Sequence, residues 1–211
     1  MTAQRRAAGR LLPGAAAGAL LLAMVIRLPE APATVAEQRA RLPPAAECES
    51  DVAGRWQALI YSIDTHSWYD WTMEVRHVDG SADALTGVIY VDTWFGTPDQ
   101  SEPGPCMGRG RYKGKMEGHG HYRKGEVLFG GGAFQLSEIV CGQGVVGYNP
   151  DQFTGKLEKE RHEFQSVNND GGLAVNEPTV FRRVACFDDE PRAHPDVAPP
   201  PFFPERREGG C

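Results

Sequence analysis

The sequence predicts an all-β protein built as a single antiparallel β-barrel, with an N-terminal leader and a disordered Pro-rich C-terminal tail. Apolar and polar side chains alternate from Tyr69 to Arg76, which is the pattern of a strand with one buried face. Glycine (25 residues) and proline (16 residues) are abundant, and both favour turns over long helices. No stretch of ten residues or more shows an apolar face with helical spacing.

Further strand candidates follow one another at short spacing, with turn residues such as Asp79-Gly80 and Asn149-Pro150-Asp151 between them. Many short strands at this spacing are typical of a barrel or a sandwich. The candidates are Arg55–Ile63, Leu85–Thr93, Arg109–Glu117, Gly118–Arg123, Glu126–Phe129, Ala133–Val140, Phe153–Lys159, His162–Val167 and Thr179–Ala185.

Residues 1–33 are predicted to be a signal peptide or a signal anchor. Arg5, Arg6 and Arg10 precede an apolar run, Leu11–Ile26, and Ala31-Pro32-Ala33 fits a cleavage site. The run is short for a membrane span, which needs about 20 apolar residues. The protein is therefore expected to be periplasmic or extracellular, with membrane anchoring by residues 11–26 as the alternative.

The remaining chain divides into three parts by composition. Residues 34–50 are rich in Ala and Pro and are predicted to form a linker. Residues 51–186 hold the strand candidates and form the predicted barrel domain. Residues 187–211 combine prolines with charges and glycines, which predicts a disordered tail.

The net charge argues against a nucleic-acid partner. Removal of residues 1–33 takes four of the 22 basic residues and one of the 28 acidic residues. The remaining 18 bases and 27 acids give a net charge of −9. A chain this acidic repels a phosphate backbone.

The cysteines predict disulfide bonds rather than a zinc site. Cys48, Cys106, Cys141, Cys186 and Cys211 are widely spaced and form no C-x-x-C pair. Disulfides are the default in an exported protein. Of the three ways to pair the first four, we favour Cys48 with Cys186, which ties the domain ends together, and Cys106 with Cys141, which closes a hairpin. Cys211 is left over.

Two short motifs at the ends of the domain resemble the lipocalin-like (calycin) barrels. They are Gly54-Arg55-Trp56 on the first strand and Phe181-Arg182-Arg183 on the last. The resemblance implies that Trp56 stacks against Arg182 or Arg183 and seals the closed end of an up-and-down barrel. A streptavidin-like barrel or a sandwich fits the strand pattern as well.

Aromatic residues in the first half of the domain are the candidates for a ligand site. Most of the four tryptophans are expected in the core. Residues at strand ends are better placed to line a barrel mouth, so Trp68 and Trp94 are favoured. The candidate ligand-binding residues are Trp68, Trp94, Tyr90 and Trp71.

Motifs for metal binding and catalysis are weak. His119 and His121 lie two residues apart on a predicted strand, so both face one side and would supply two metal ligands. Two exposed polar residues in a hairpin explain them more simply. Inspection finds no nucleophile elbow, zinc-protease motif, P-loop or dinucleotide fingerprint, so no catalytic residue and no cofactor is predicted.

Three functions stay open, in decreasing order of preference. The first is non-covalent binding of a small, partly apolar ligand in a cavity of the exported barrel. The second is a protein-protein interaction or structural role in the cell envelope. The third is a hydrolase or isomerase that uses the barrel mouth, which requires at least two converging titratable groups.

Overall fold

The computed structural model describes residues 34–104, 106, 110–142, 147–172 and 175–187. One α-helix, α1 (Val35–Arg41), precedes nine strands, and a 3-10 turn (Lys159–Arg161) lies between the seventh and eighth strands. The strands are β1 (Gly54–Ser62), β2 (Ser67–His77), β3 (Ala84–Phe95), β4 (Arg111–Arg123), β5 (Glu126–Gly131), β6 (Gln135–Cys141), β7 (Gln152–Glu158), β8 (Glu163–Asn169) and β9 (Val175–Ala185).

The strands form a closed antiparallel barrel, which confirms the predicted fold class. The order of hydrogen-bonded neighbours is β3-β2-β1-β9-β8-β7-β5-β4-β6, and pairing of β3 with β4 closes the ring. Strands β5 and β6 follow each other along β4, pairing with residues 118–123 and 111–115 respectively. They share one place in the ring, so the barrel has eight strands. This architecture is consistent with a calycin-like fold.

Strand β4 corrects the sequence prediction, which divided it into Arg109–Glu117 and Gly118–Arg123. The chain runs unbroken from Arg111 to Arg123. The glycines of β4 do not form a turn. They leave space for side chains from other parts of the barrel. A Cβ atom added to Gly114 would overlap the ring of Phe134, and one added to Gly118 would overlap the ring of Phe129. Glycine at these inward positions lets two aromatic rings enter the barrel.

The middle of the barrel is filled by large apolar side chains. A cavity large enough to hold a ligand would expose the atoms that line it. The inward-facing side chains here are 0–2% exposed, so they leave no such cavity and pack against one another as in an ordinary protein core. These residues are Met73, Ile89, Met116, Phe129, Phe153, Phe164 and Phe181.

Trp56 and Arg183 seal one end of the barrel. The Arg183 guanidinium lies 5.3 Å from the Trp56 ring and also donates to the carbonyl of Ser50. The indole Nε1 of Trp56 donates to the carbonyl of Val52 at 2.9 Å. Strand alternation decides between the two arginines, because Arg182 points outward and pairs with a carboxylate on the outer face.

The N-terminal segment covers the seam between the first and last strands. β1 and β9 pair through only three residues on each strand. Beyond them, the Gln38 side chain of α1 donates to the carbonyl of Pro178 at 2.8 Å and accepts from the amide of Val180 at 2.9 Å. A capping box between Thr34 and Glu37 begins the helix. The structure therefore differs from the linker predicted over residues 34–50.

The four domain cysteines lie in the favoured pairs. Cα atoms are 5.4 Å apart for Cys48–Cys186 and 5.9 Å apart for Cys106–Cys141, both within the disulfide range. Two disulfides indicate a non-reducing, exported environment. The leader, the tail and Cys211 lie outside the described residues. Within the described residues, no helix has the length and apolar character to cross a membrane.

Replacement of Trp56 tests the seal. Trp56→Ala removes a side chain that is 2% exposed, so we expect the free energy of unfolding to fall by about 3–5 kcal/mol in a urea titration. Tyr90→Ala, which removes an aromatic ring that is 40% exposed, should cost less than about 1 kcal/mol. Equal costs for the two variants would contradict a buried anchor at this end.

The Cys48–Cys186 bond closes a loop with a sequence separation of 138 residues. The double variant Cys48→Ser, Cys186→Ser should therefore lose about 2–5 kcal/mol of folding free energy, because its unfolded chain is less constrained. Denaturant unfolding under non-reducing conditions measures the difference. An unchanged midpoint would mean that the contacts of the N-terminal segment hold the seam without the covalent bond.

Candidate functional site

A buried polar cluster lies at the end of the barrel opposite the Trp56–Arg183 pair, an end that we call the mouth. The Asp151 carboxylate is at its centre and is 3% exposed. It accepts hydrogen bonds from the indole Nε1 of Trp71 at 2.9 Å, from the hydroxyl of Tyr148 at 2.6 Å and from Nδ2 of Asn168 at 2.7 Å. Buried carboxylates need such partners, and this one has three.

Three elements position these donors. Trp71 is an inward residue of β2 and Asn168 an inward residue of β8. Tyr148 comes from the connection between β6 and β7, and Asp151 directly precedes β7. Oδ1 of Asn168 also accepts from the amide of Gln152 at 3.1 Å. The cluster therefore holds the β6–β7 connection against strands on two other sides of the barrel.

Burial changes the acidity of the cluster. Loss of water raises the pKa of Asp151 to about 6, although the hydrogen bonds from Tyr148, Asn168 and Trp71 act in the opposite direction. Burial and the adjacent carboxylate raise the pKa of Tyr148 well above its ordinary value. The Tyr148 hydroxyl therefore stays protonated and remains a donor to Asp151.

Glu177 is a second carboxylate at the mouth, and it lacks the hydrogen-bond donors that surround Asp151. It lies on β9 directly opposite Asn168 of β8 and is partly buried. Its carboxylate has no hydrogen bond or ion pair with the described residues. Burial, followed by the negative charges of Asp64, Asp151 and Asp170, raises the pKa of Glu177 to about 7.

Four aromatic side chains surround the polar cluster and remain partly exposed: Tyr69, Tyr112, Phe134 and Tyr148. The rings of Phe134 and Tyr148 stack with centroids 4.4 Å apart, and Tyr112 meets Phe134 edge-on at 6.4 Å. Tyr69 stacks on Trp71 at 5.2 Å. Burial raises the pKa of Tyr69 to about 12, so these phenols are neutral.

Thr93 lies on β3 between the mouth tyrosines, opposite Tyr69 on one side and Tyr112 on the other. It is 1% exposed, and its Oγ1 forms no hydrogen bond. The hydroxyl is close enough to Tyr112 to favour the phenolate, but the geometry of a hydrogen bond is not met. A buried hydroxyl without a partner costs free energy, so a polar ligand atom that reached it would be stabilised there.

Of the four predicted ligand-binding residues, the structure brings only Trp71 to the mouth interior. Trp68 and Trp94 pack with Tyr61 in a second cluster on the outer face, and their indoles donate to carbonyls of the β3–β4 connection. Tyr90 lies on the outer face and is 40% exposed. Side chains alternate along β2 and β3, and those of even-numbered residues point to the outer face of the barrel. Position at a strand end therefore does not by itself place a side chain at the mouth.

The histidine pair lies away from the mouth. His119 and His121 are on the outward side of β4, where they pair with residues of β3 and β5. Among the described residues, no group of three His, Cys, Asp or Glu side chains is arranged to hold a metal ion. The pair therefore supplies at most two ligands from one surface of β4.

Sequence reasoning missed the cluster itself. The sequence predicts a turn at Asp151 because it follows Asn149-Pro150, and it ends the predicted strand at Val167, one residue before Asn168. A signal for Asn168 was present, because Phe164, Ser166 and Asn168 continue the alternation of β8. No local signal marks Asp151, since two of its three partners, Trp71 and Asn168, lie 80 and 17 residues away along the chain.

Comparisons of the chain with protein-family models, with characterised proteins and with solved structures find no match. The site therefore has to be interpreted from its geometry. Asp151 is enclosed by its three donors, whereas Glu177 is available to bind a cation or exchange a proton near neutral pH.

The raised pKa of Glu177 predicts a specific pH dependence of stability. Between its usual value near 4.5 and about 7, the unfolded chain loses the proton while the folded protein keeps it. Glu177 therefore supports folding below this window, and that support is lost as the pH rises through it. We expect Glu177→Gln to be more stable than the wild type at pH 8 by about 1–3 kcal/mol, with the difference shrinking towards pH 4.5.

Urea unfolding from pH 4.5 to 8 measures this difference. Glu117→Gln is the matched control, because Glu117 is exposed on the outward side of β4. Its stability curve should run parallel to that of the wild type. A parallel curve for Glu177→Gln as well would show that the pKa of Glu177 is not raised in the folded protein.

Proposed function

We propose that this protein is an exported, lipocalin-like barrel that binds a small, partly apolar molecule non-covalently at its mouth. The observation that carries the proposal is the set of four partly exposed aromatic side chains around a buried polar cluster. Ligand sites in proteins combine such apolar walls with a few fixed polar groups. Because the middle of the barrel is filled, the proposed site is shallow and confined to the mouth.

Apolar residues at the rim extend this surface. Leu136 and Ile139 of β6 pair with Gly114 and Tyr112, both inward residues of β4, and their exposed fractions are 44% and 45%. Val175, at the start of β9, is 61% exposed. Exposed apolar side chains that continue an aromatic surface are expected where a ligand or partner covers them.

If a partly apolar ligand binds at the mouth, an uncharged apolar dye should bind there as well. N-phenyl-1-naphthylamine should gain fluorescence with the wild-type protein, and Ile139→Arg should weaken its affinity at least tenfold by placing a charge at the rim. Val78→Arg is the control, since Val78 has a similar exposure of 40% but lies in the β2–β3 turn at the opposite end. No fluorescence gain, or equal loss in both variants, would reject the mouth as the site.

A protein-interaction role is the second candidate, and β6 favours it. Within the described residues, β6 pairs only with β4, and it exposes Leu136, Ile139 and Val140. An exposed strand edge with apolar side chains is a common docking surface for another chain. A wild-type protein that binds no dye, and that elutes from gel filtration of solubilised envelopes in a complex lost in Val140→Arg, would favour this candidate.

A further inference from the structure

We propose that the ligand of the mouth is an organic cation, an amine with an apolar body, whose ammonium group is held by Glu177 beside the tyrosine rings. This inference deepens the proposed function and rests on it. Its basis is a carboxylate without a counter-charge, an acidic rim, an aromatic wall and a buried hydroxyl without a partner, all at the same end of the barrel.

Three carboxylates at the mouth, those of Asp64, Asp151 and Glu177, form no ion pair with the described residues. Seven ion pairs occur in the described part of the chain, and none of them includes Asp64, Asp151 or Glu177. Asp151 is satisfied by neutral donors, whereas the carboxylate of Glu177 forms no hydrogen bond with the described residues. A partly buried carboxylate in this state is stabilised by any cation that reaches it.

The connections at the two ends of the barrel differ in charge. In the connections at the mouth, the described residues include no lysine or arginine and five acids: Asp64, Asp99, Glu102, Asp151 and Asp170. At the opposite end, residues 78–83, 124–125 and 159–162 contain three acidic and three basic residues, and the segment 43–53 that leads into β1 adds Glu47, Glu49 and Asp51. The mouth therefore carries a local negative field that attracts cations and repels anions.

The aromatic wall selects an organic cation over a metal ion. Tyr69, Tyr112 and Tyr148 present neutral rings, whose faces attract ammonium groups and also contact an apolar body. A metal ion would need several oxygen or nitrogen ligands at short distance, and no such group of three occurs in the described residues. The wall and the acid together suit an amphipathic amine.

Thr93 is an independent sign of a missing ligand at this place. Its hydroxyl is buried among the mouth tyrosines and has no hydrogen-bond partner. A hydroxyl oxygen accepts hydrogen bonds, and an ammonium group has three hydrogens to donate. An amine whose ammonium group reached between Tyr69 and Tyr112 would find this acceptor there.

Two probes of the same shape test the inference: 1-naphthylmethylamine and the uncharged 1-naphthylmethanol, titrated by calorimetry into the full protein at pH 7.5. We expect the amine to bind at least tenfold more tightly than the alcohol. Glu177→Gln should lower the affinity for the amine about tenfold and leave that for the alcohol unchanged. Glu117→Gln, the exposed control on β4, should change neither.

Thr93→Val provides a second variant, since the two side chains have similar shape. It should weaken binding of the amine severalfold without weakening that of the alcohol, and it should not lower stability, because no hydrogen bond is lost. If Glu177→Gln weakens both probes equally, Glu177 only maintains the shape of the mouth and the inference is overturned.

The remaining outcomes separate the inference from the proposed function. If the alcohol binds as tightly as the amine, the mouth binds ligands but does not select cations, so the inference fails and the proposed function stands. If N-phenyl-1-naphthylamine binds while neither naphthyl probe does, the inference again fails and the proposed function stands. If neither probe nor this dye binds, both fail.

Discussion

An eight-strand antiparallel sheet becomes a barrel only if its first and last strands meet, and this closure is the constraint on which the rest of the structure depends. β1 and β9 share three residue pairs on each strand, too few to hold the ring by backbone bonds alone. The side chain of Gln38 replaces part of the missing ladder, the Trp56–Arg183 stack packs one end, and the Cys48–Cys186 bond ties the segments that flank the seam.

Closure also determines where polar groups are placed. Aromatic and aliphatic side chains fill the middle of the barrel, so inward polar residues are confined to its ends. At one end the arginine is held by backbone carbonyls. At the other, the Asp151 carboxylate joins β2, β8 and residues 148–151 through three hydrogen bonds, and this satisfied network, together with the stack of Tyr148 on Phe134, fixes the conformation of these residues.

Much of the fold could be predicted from the sequence, because alternation and turn residues are local signals. The resemblance of the two end motifs to lipocalin-like barrels implied the Trp56 seal, and the cysteine pairs followed from their positions along the chain. Three features could not be predicted for physical reasons. The glycines of β4 make room for aromatic rings that come from other parts of the chain. Helix α1 gains its stability from contacts with β9 rather than from its own seven residues. The partners of Asp151 are up to 80 residues away along the chain.

The two mouth carboxylates, Asp151 and Glu177, differ in their effect on the stability of the fold. Asp151 offsets its burial through contacts that connect three parts of the barrel. Glu177 makes no such contact with the described residues, lies near three other acids and raises the free energy of the folded state whenever it is ionised. A neutral glutamine at this position would make the folded barrel more stable at any pH at which Glu177 is ionised. A cation bound at the mouth would remove this cost, so the unfavourable electrostatics of the free protein become part of the free energy available for binding.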